Sequence, residues 1–293
     1  MTIEFMSKVS VIIPCYNMGQ FLDEAVDSVL NQTFQDFEII IVNDGSTDEM
    51  TIEKLKNYKK PKTKVIHTPN QGVSMARNIG IHEATGQYIL PLDADDKIHP
   101  AYLFEAINIL DDFKEIGIVY CEAAFFYEKN EIWQLPEFNL EKILADNLIN
   151  NCAFFRKDDF VRTSGYNANM KYGLEDWDFW LTLLELDLKV YKIPKILFYY
   201  RIKNSSRNMD LANDDAHLTL SHQQLYINHQ NLYNKYIESP IHLIRKLNVS
   251  KIEIQYWKNK FEVIENSYSY RIGNRLVRPF SKLKKMFNAI NFL

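Results

Sequence analysis

Short, almost wholly apolar runs alternate with stretches of helical periodicity through the first third of the chain, and this alternation restricts the fold more than any other feature. Val9-Ser10-Val11-Ile12-Ile13-Pro14, Phe37-Glu38-Ile39-Ile40-Ile41-Val42, Val65-Ile66-His67 and Tyr88-Ile89-Leu90-Pro91-Leu92 read as strands of a buried sheet. Between the first two, Leu22, Ala25, Val26, Val29 and Leu30 recur at helical spacing. Ser46 and Glu49 form a capping box opening a second helix, and Gly72 to Ala84 reads as a third. Strand and helix taken in turn imply an α/β fold: a mostly parallel sheet with right-handed crossovers and helices on both faces.

In such sheets ligands collect at the carboxyl ends of the strands. Here those ends carry Pro14-Cys15-Tyr16-Asn17, Asn43-Asp44-Gly45-Ser46-Thr47-Asp48 and Asp93-Ala94-Asp95-Asp96. The last run delivers three carboxylates within four residues. Unpaired carboxylates repel one another, so such a cluster is stable when a cation sits among the oxygens or when water solvates it. Oxygen ligands with no His or Cys alongside suit Mg²⁺ or Mn²⁺ rather than zinc. Asp93 and Asp95 are two apart and point the same way on an extended chain. A solvated turn capped by Asp96 explains the same residues.

From about Gly117 the pattern is mixed. Gly117 to Cys121, Ile132 to Leu135, Cys152 to Arg156 and Ile196 to Arg201 are strand candidates. Gly173-Leu174-Glu175-Asp176-Trp177-Asp178-Phe179-Trp180 leads into a helix running to about Leu186, with Trp177 and Trp180 at core spacing. Beyond Ser206 the chain reads as helical, polar and rich in Asn, Gln and Tyr. We therefore divide it into residues 1–205, the sheet domain, and 206–293, a helical C-terminal region. A net charge of −4 offers no case for nucleic acid. Three widely spaced cysteines show no metal-ligand pattern and suit a reducing compartment. No apolar run approaches the ~20 residues that span a bilayer, and Met1 to Lys8 lacks a signal-peptide core, so a cytoplasmic location is expected.

The motifs Val11-Ile12-Ile13-Pro14-Cys15-Tyr16-Asn17, Ile41-Val42-Asn43-Asp44-Gly45-Ser46-Thr47-Asp48, Gly72-Val73-Ser74-Met75-Ala76-Arg77-Asn78, Leu92-Asp93-Ala94-Asp95-Asp96 and Glu175-Asp176 resemble, in order and spacing, the family 2 glycosyltransferases with the GT-A fold. Each piece alone is weak, and five together are specific; Asn43 stands where the family usually carries Asp. The resemblance covers roughly residues 8 to 205. It implies a nucleotide-sugar donor, probed by Pro14 and Tyr16 against base or ribose and by Asp44 on the base. It further implies donor contacts from Arg77, and from Arg201 with Ser205 or Ser206 behind it. By the same resemblance Asp95 is the direct metal ligand, Asp93 contacts the ribose or the metal shell, and Asp96 supports or shares coordination of Mn²⁺ or Mg²⁺. Asp176 is nominated as the base that deprotonates the acceptor, with Glu175 binding the acceptor or tuning that base. Adjacent residues on a helix diverge by about 100°, so only one faces the sugar carbon.

The activity so implied is metal-dependent, inverting transfer from a UDP-sugar to a hydroxyl of a glycan or lipid-linked acceptor, as in bacterial surface polysaccharide assembly. An Asp-x-Asp phosphohydrolase needs that motif at the first strand, where this chain has Pro14-Cys15-Tyr16-Asn17. A catalytically inactive sugar-nucleotide-binding scaffold would not need both Asp95 and Asp176. Finally, Arg271, Arg275, Arg278, Lys282, Lys284 and Lys285 interleave with Ile272, Leu276, Phe280, Leu283 and Phe287 without an acid after Glu265. That pattern suits a basic amphipathic tail, kinked at Pro279, on an anionic membrane face, or else packing on a second subunit.

Overall fold

The computed structural model describes residues 7–203, 211, 214–237 and 239–273. Ser205, Ser206 and the basic tail beyond residue 273 lie outside them.

The alternating half folds as its periodicity dictates. Strands β1 (Ser7–Cys15), β2 (Phe37–Asp44), β3 (Thr63–Thr68) and β4 (Gly86–Pro91) form a parallel sheet in the order β3-β2-β1-β4. Helices α1 (Gly19–Leu30), α2 (Glu49–Lys56) and α3 (Val73–Glu83) make the crossovers. Side chains alternate across the sheet. Val11, Ile13, Ile39, Ile41 and Leu90 join α1 in one hydrophobic core. Ile12 and Val42, with the opposite parity, pack beneath Gly80 of α3. Helices thus cover both faces.

The second half extends this sheet with mixed polarity. It comprises β5 (Lys97–Ile98), α4 (Tyr102–Asp112), β6 (Ile116–Tyr127), β7 (Ile132–Trp133), α5 (Leu140–Ile143), β8 (Phe154–Arg156), α6 (Lys157–Val161), α7 (Glu175–Leu184) and β9 (Lys189–Ile202). The order continues β4-β8-β6-β9-β5, with β7 on β6; β8 is antiparallel to β4 and β6, while β9 runs parallel to β6. Helix α7 is clamped to the sheet by aromatic packing: Phe179 stacks on Tyr166 at 4.0 Å and meets Phe155 edge-on at 4.9 Å. Trp177 and Trp180 are core residues, as their spacing implies.

One expectation is corrected. The cap of α2 is Asp48, whose Oδ1 accepts the Thr51 N–H at 2.8 Å, while Ser46 Oγ accepts the N–H of Asn17. Asn17 Oδ1 also accepts the amides of Thr47 and Asp48, so the loop after β1 is tied to the loop after β2. The boundary expected near residue 205 falls inside the first compact unit, which runs to Tyr233. Its helix α8 (Asp215–Asn228) and the start of α9 (Gln230–Tyr236) belong there because His229, 2% exposed, bridges Asp178 of α7 and Glu185. The second unit begins at Asn234 and contains α10 (Pro240–Asn266). No described helix is long and apolar enough to cross a membrane.

Candidate active site

The C-terminal ends of β1, β2 and β4 and the start of α7 open onto one cleft of about 710 Å³. Pro14, Tyr16, Asp44, Arg77, Asp93, Asp95, Glu175 and Asp176, far apart in sequence, all line it. Asp44 is buried at the end of β2, and its two oxygens accept the N–H groups of Gln71 and Gly72, each at 2.9 Å. It thereby caps the start of α3, where the helix dipole favours a carboxylate. The turn after it requires glycine: Gly45 has φ +66, and a Cβ there would lie 2.5 Å from the backbone nitrogen of Asn70. Tyr16 stands at the rim, 43% exposed.

One turn into α3, Arg77 is 1% exposed. Its guanidinium forks to Asp93 Oδ1 at 2.7 Å and Glu175 Oε1 at 2.9 Å, with the Tyr166 ring 5.3 Å away. Burial opposes its charge, but Asp93 and Glu175 more than offset that, and its pKa is raised. Arg77 thus joins the acidic cluster to α7 while also lining the cleft, where the expected donor contact stands as a proposal.

The acidic cluster divides. Asp93 also accepts Asn151 Nδ2 at 2.8 Å, and Asp95 Oδ2 meets Lys203 Nζ at 2.5 Å. Asp96 turns away from the cleft: its Oδ1 accepts the Arg201 N–H at 2.8 Å, and its Oδ2 is buried without a hydrogen-bond partner. Burial, then the charges of Asp95 and Asp93, push its pKa well up. Asp96 is absent from the cleft lining and is held from behind by the Arg201 amide, which fits the supporting role expected of it beside Asp93 and Asp95. Among the described residues no three His, Cys, Asp or Glu side chains converge on a cation site. The all-oxygen pair Asp93 and Asp95 still fits a small hard divalent ion, which is commonly held by one or two carboxylates plus substrate phosphates.

Arg201 does not reach the cleft. Its guanidinium pairs with Glu24, donates from Nε to the Asp95 carbonyl at 2.6 Å, and lies over the rings of Phe21 and Phe126. Lys203, two residues on, is the cation of that segment that lines the cleft. Reading the sequence also missed Asn147, Asn150 and Asn151, whose only signal is an Asn-rich irregular run, and the aromatic pair Trp133 and Tyr200, 5.4 Å apart on the cleft wall.

Asp176 starts α7 after an unusual turn. Gly173 has φ 141 and Leu174 is left-handed at φ 65. Asp176 Oδ2 accepts Asn147 Nδ2 at 3.1 Å, and burial, then the neighbouring Glu175 charge, raises its pKa to about 6. A carboxylate so poised accepts a proton near neutral pH. Cys15, also in the cleft, is pushed by burial up to about 11 and is no thiolate nucleophile.

The family model of glycosyl transferase family 2 matches residues 10–170. The chain belongs to this family. The chain is 29% identical over 236 residues to a chondroitin synthase of Pasteurella multocida, covering 77% of this chain and 24% of that one. It is 40% identical over 131 residues to an uncharacterized glycosyltransferase of Escherichia coli, covering 44% of this chain and 38% of the relative. The chain thus spans well under half the length of both curated relatives. Among solved structures, S. aureus TarS residues 1–349 in complex with UDP-GlcNAc superposes with a TM-score of 0.57 at 21% identity, covering 78% of this chain and 73% of TarS. A Pyrobaculum calidifontis mannosyltransferase in complex with GDP-Man and Mn²⁺ superposes at 0.59 with 16% identity, covering 92% and 83%. These likenesses establish the shared GT-A fold.

Proposed function

We propose that this glycosyltransferase moves a sugar, with inversion, from a nucleotide-diphosphate sugar to a hydroxyl of a glycan or lipid-linked acceptor, and that it needs Mn²⁺ or Mg²⁺. The observation that carries the reading is the meeting in one cleft of Asp176, with its pKa near 6, and the Asp93/Asp95 pair. Asp176 takes the proton of the acceptor hydroxyl as its oxygen attacks the anomeric carbon. Asn147 holds that carboxylate in aim, and Glu175, tied to Arg77, keeps its basicity high. No second carboxylate is needed as a nucleophile, so a single displacement inverts the centre.

Asp44 and Tyr16 receive the base and ribose; the residual lone pairs of Asp44 suit an N–H donor such as uracil. A UDP-sugar is therefore our first choice, supported by the UDP-GlcNAc that TarS binds. Asp95, with Asp93 beside it, would hold the divalent ion, which when bound supplies charge neutralisation for the departing diphosphate. Lys203 adds a second positive charge at the same place. Anchoring at the inner face of the membrane through the basic tail completes the reading and would bring a lipid-linked acceptor within reach.

The test is a nucleotide-sugar screen by thermal stabilisation with and without Mn²⁺, followed by transfer assays of Asp176→Asn. The expected outcome is metal-dependent stabilisation by one UDP-sugar, retained in the variant, with transfer reduced roughly 10²–10⁴-fold. Undiminished transfer by Asp176→Asn would remove the catalytic assignment, and equal stabilisation in the presence of a chelator would remove the metal.

A further inference from the structure

Helix α10 is 27 residues long, about 40 Å, and its large apolar side chains are exposed along its length. Written as heptads with Leu247 at a, the a and d positions are Leu243, Leu247, Ser250, Ile254, Trp257, Phe261 and Ile264. Six of these seven are apolar, over about three heptads, which is the signature of a coiled-coil seam. Exposure of Trp257 at 66% and Phe261 at 56% leaves that seam without a cover among the described residues.

We infer that α10 pairs in parallel with α10 of a second copy of this chain. The charges beside the seam select that partner and that direction. In a parallel pair each g residue meets the e residue five positions later in the other helix. Glu253 then meets Lys258 of the second copy and Lys260 meets Glu265, against a single like-charged pair, Lys246 with Lys251. An antiparallel pair with Ile254 opposite Trp257 instead brings Glu253 to Lys260 and sets Lys251 against Lys258, so it holds fewer favourable pairs than the parallel one. An anionic lipid surface suits the seam less well, because Glu253 and Glu265 flank it and a second apolar stripe of Val249, Ile252, Tyr256 and Val263 lies on the opposite side. Ser250, the one polar d residue, weakens the seam locally and marks its register.

The test uses the full chain. Light scattering after size exclusion is expected to give twice the chain mass, and Leu247→Glu with Trp257→Glu to lose the two-chain species. Because that variant could also unfold the helix, Ser250→Cys supplies an independent readout. The native thiols Cys15, Cys121 and Cys152 are all buried, so oxidation reports the added one. A parallel pair brings the two Ser250→Cys positions together and links them, whereas Arg245→Cys, on the outer f position, links poorly. A monomeric wild type, a trimer or tetramer, a dimer insensitive to the double variant, or equal linking at 250 and 245 would each overturn the proposal. So would a monomer that co-sediments with phosphatidylglycerol vesicles and loses that binding in the double variant, an outcome assigning the seam to membrane.

Discussion

Arg77→Met removes the cation on which the cleft is assembled. The Glu175 end of the clamp is the buried one: the Glu175 side chain is 5% exposed and that of Arg77 2%, whereas Asp93 is 31% exposed and water can take over there. Taking the Arg77 partner from that buried charge costs about 3–5 kcal/mol. For a compact unit of this size each kcal/mol is worth about 2–4 °C, so the melting temperature should fall by about 6–20 °C. The decisive measurement is a double-mutant cycle by urea denaturation with Glu175→Gln. If the cost comes from the stranded carboxylate, Arg77→Met with Glu175→Gln should be more stable than Arg77→Met alone, with a coupling of about 2–3 kcal/mol. Additivity within about 0.5 kcal/mol would refute the clamp. So would an Arg77→Met protein as stable as wild type.

Three further outcomes follow from the same geometry. Since burial and Glu175 raise Asp176 to about 6, kcat/KM should rise with pH through a limb near 6, and Glu175→Gln should move that limb down; a limb unmoved by the substitution would separate the two residues. Lys203→Met should tighten Mn²⁺ binding in the absence of donor, read by electron paramagnetic resonance, because the ammonium no longer competes for Asp95, while UDP affinity falls about tenfold; weaker Mn²⁺ binding would contradict the pairing. Burial disfavours charged His229, but Asp178 and Glu185 outweigh it and its pKa is raised. A raised folded pKa contributes stability fully below the unfolded value of about 6.5 and loses it as pH rises through the folded value. Urea stability should therefore decline from pH 6 upward more steeply in wild type than in His229→Gln, and parallel profiles would remove the role of this histidine.

The parallel half of the sheet was legible because its signals are local: β1, β2 and β4 are continuous apolar runs, and α3 is bounded by glycine at one end. The mixed half was less so. Strand β9 begins at Lys189, well before the expected Ile196, because its first residues alternate in exposure and include Pro194, and pairing with β6 rather than propensity extends them. That Asp44, Asp95 and Asp176 line one cleft could be read because turn chemistry and motif spacing mark them. The exchange of Arg201 for Lys203 could not. What turns Arg201 inward is Glu24, 177 residues away, together with the Phe21 and Phe126 rings. Which of the two expected roles Asp96 takes could not be read for a related reason, since the amide that holds it belongs to Arg201.

Leu174 holds a left-handed backbone immediately before Glu175 and Asp176 of α7. For a residue with a Cβ that conformation costs on the order of 1–2 kcal/mol, which glycine would not incur. A consensus-minded engineer seeking thermostability would mutate it first. Yet with Gly173 already preceding it, a second glycine would leave the approach to Asp176 with two adjacent swivels, and in the proposed mechanism the base would sample directions that miss the acceptor. Tolerance to heat and fidelity of aim thus pull this single position in opposite directions, and a leucine there favours aim.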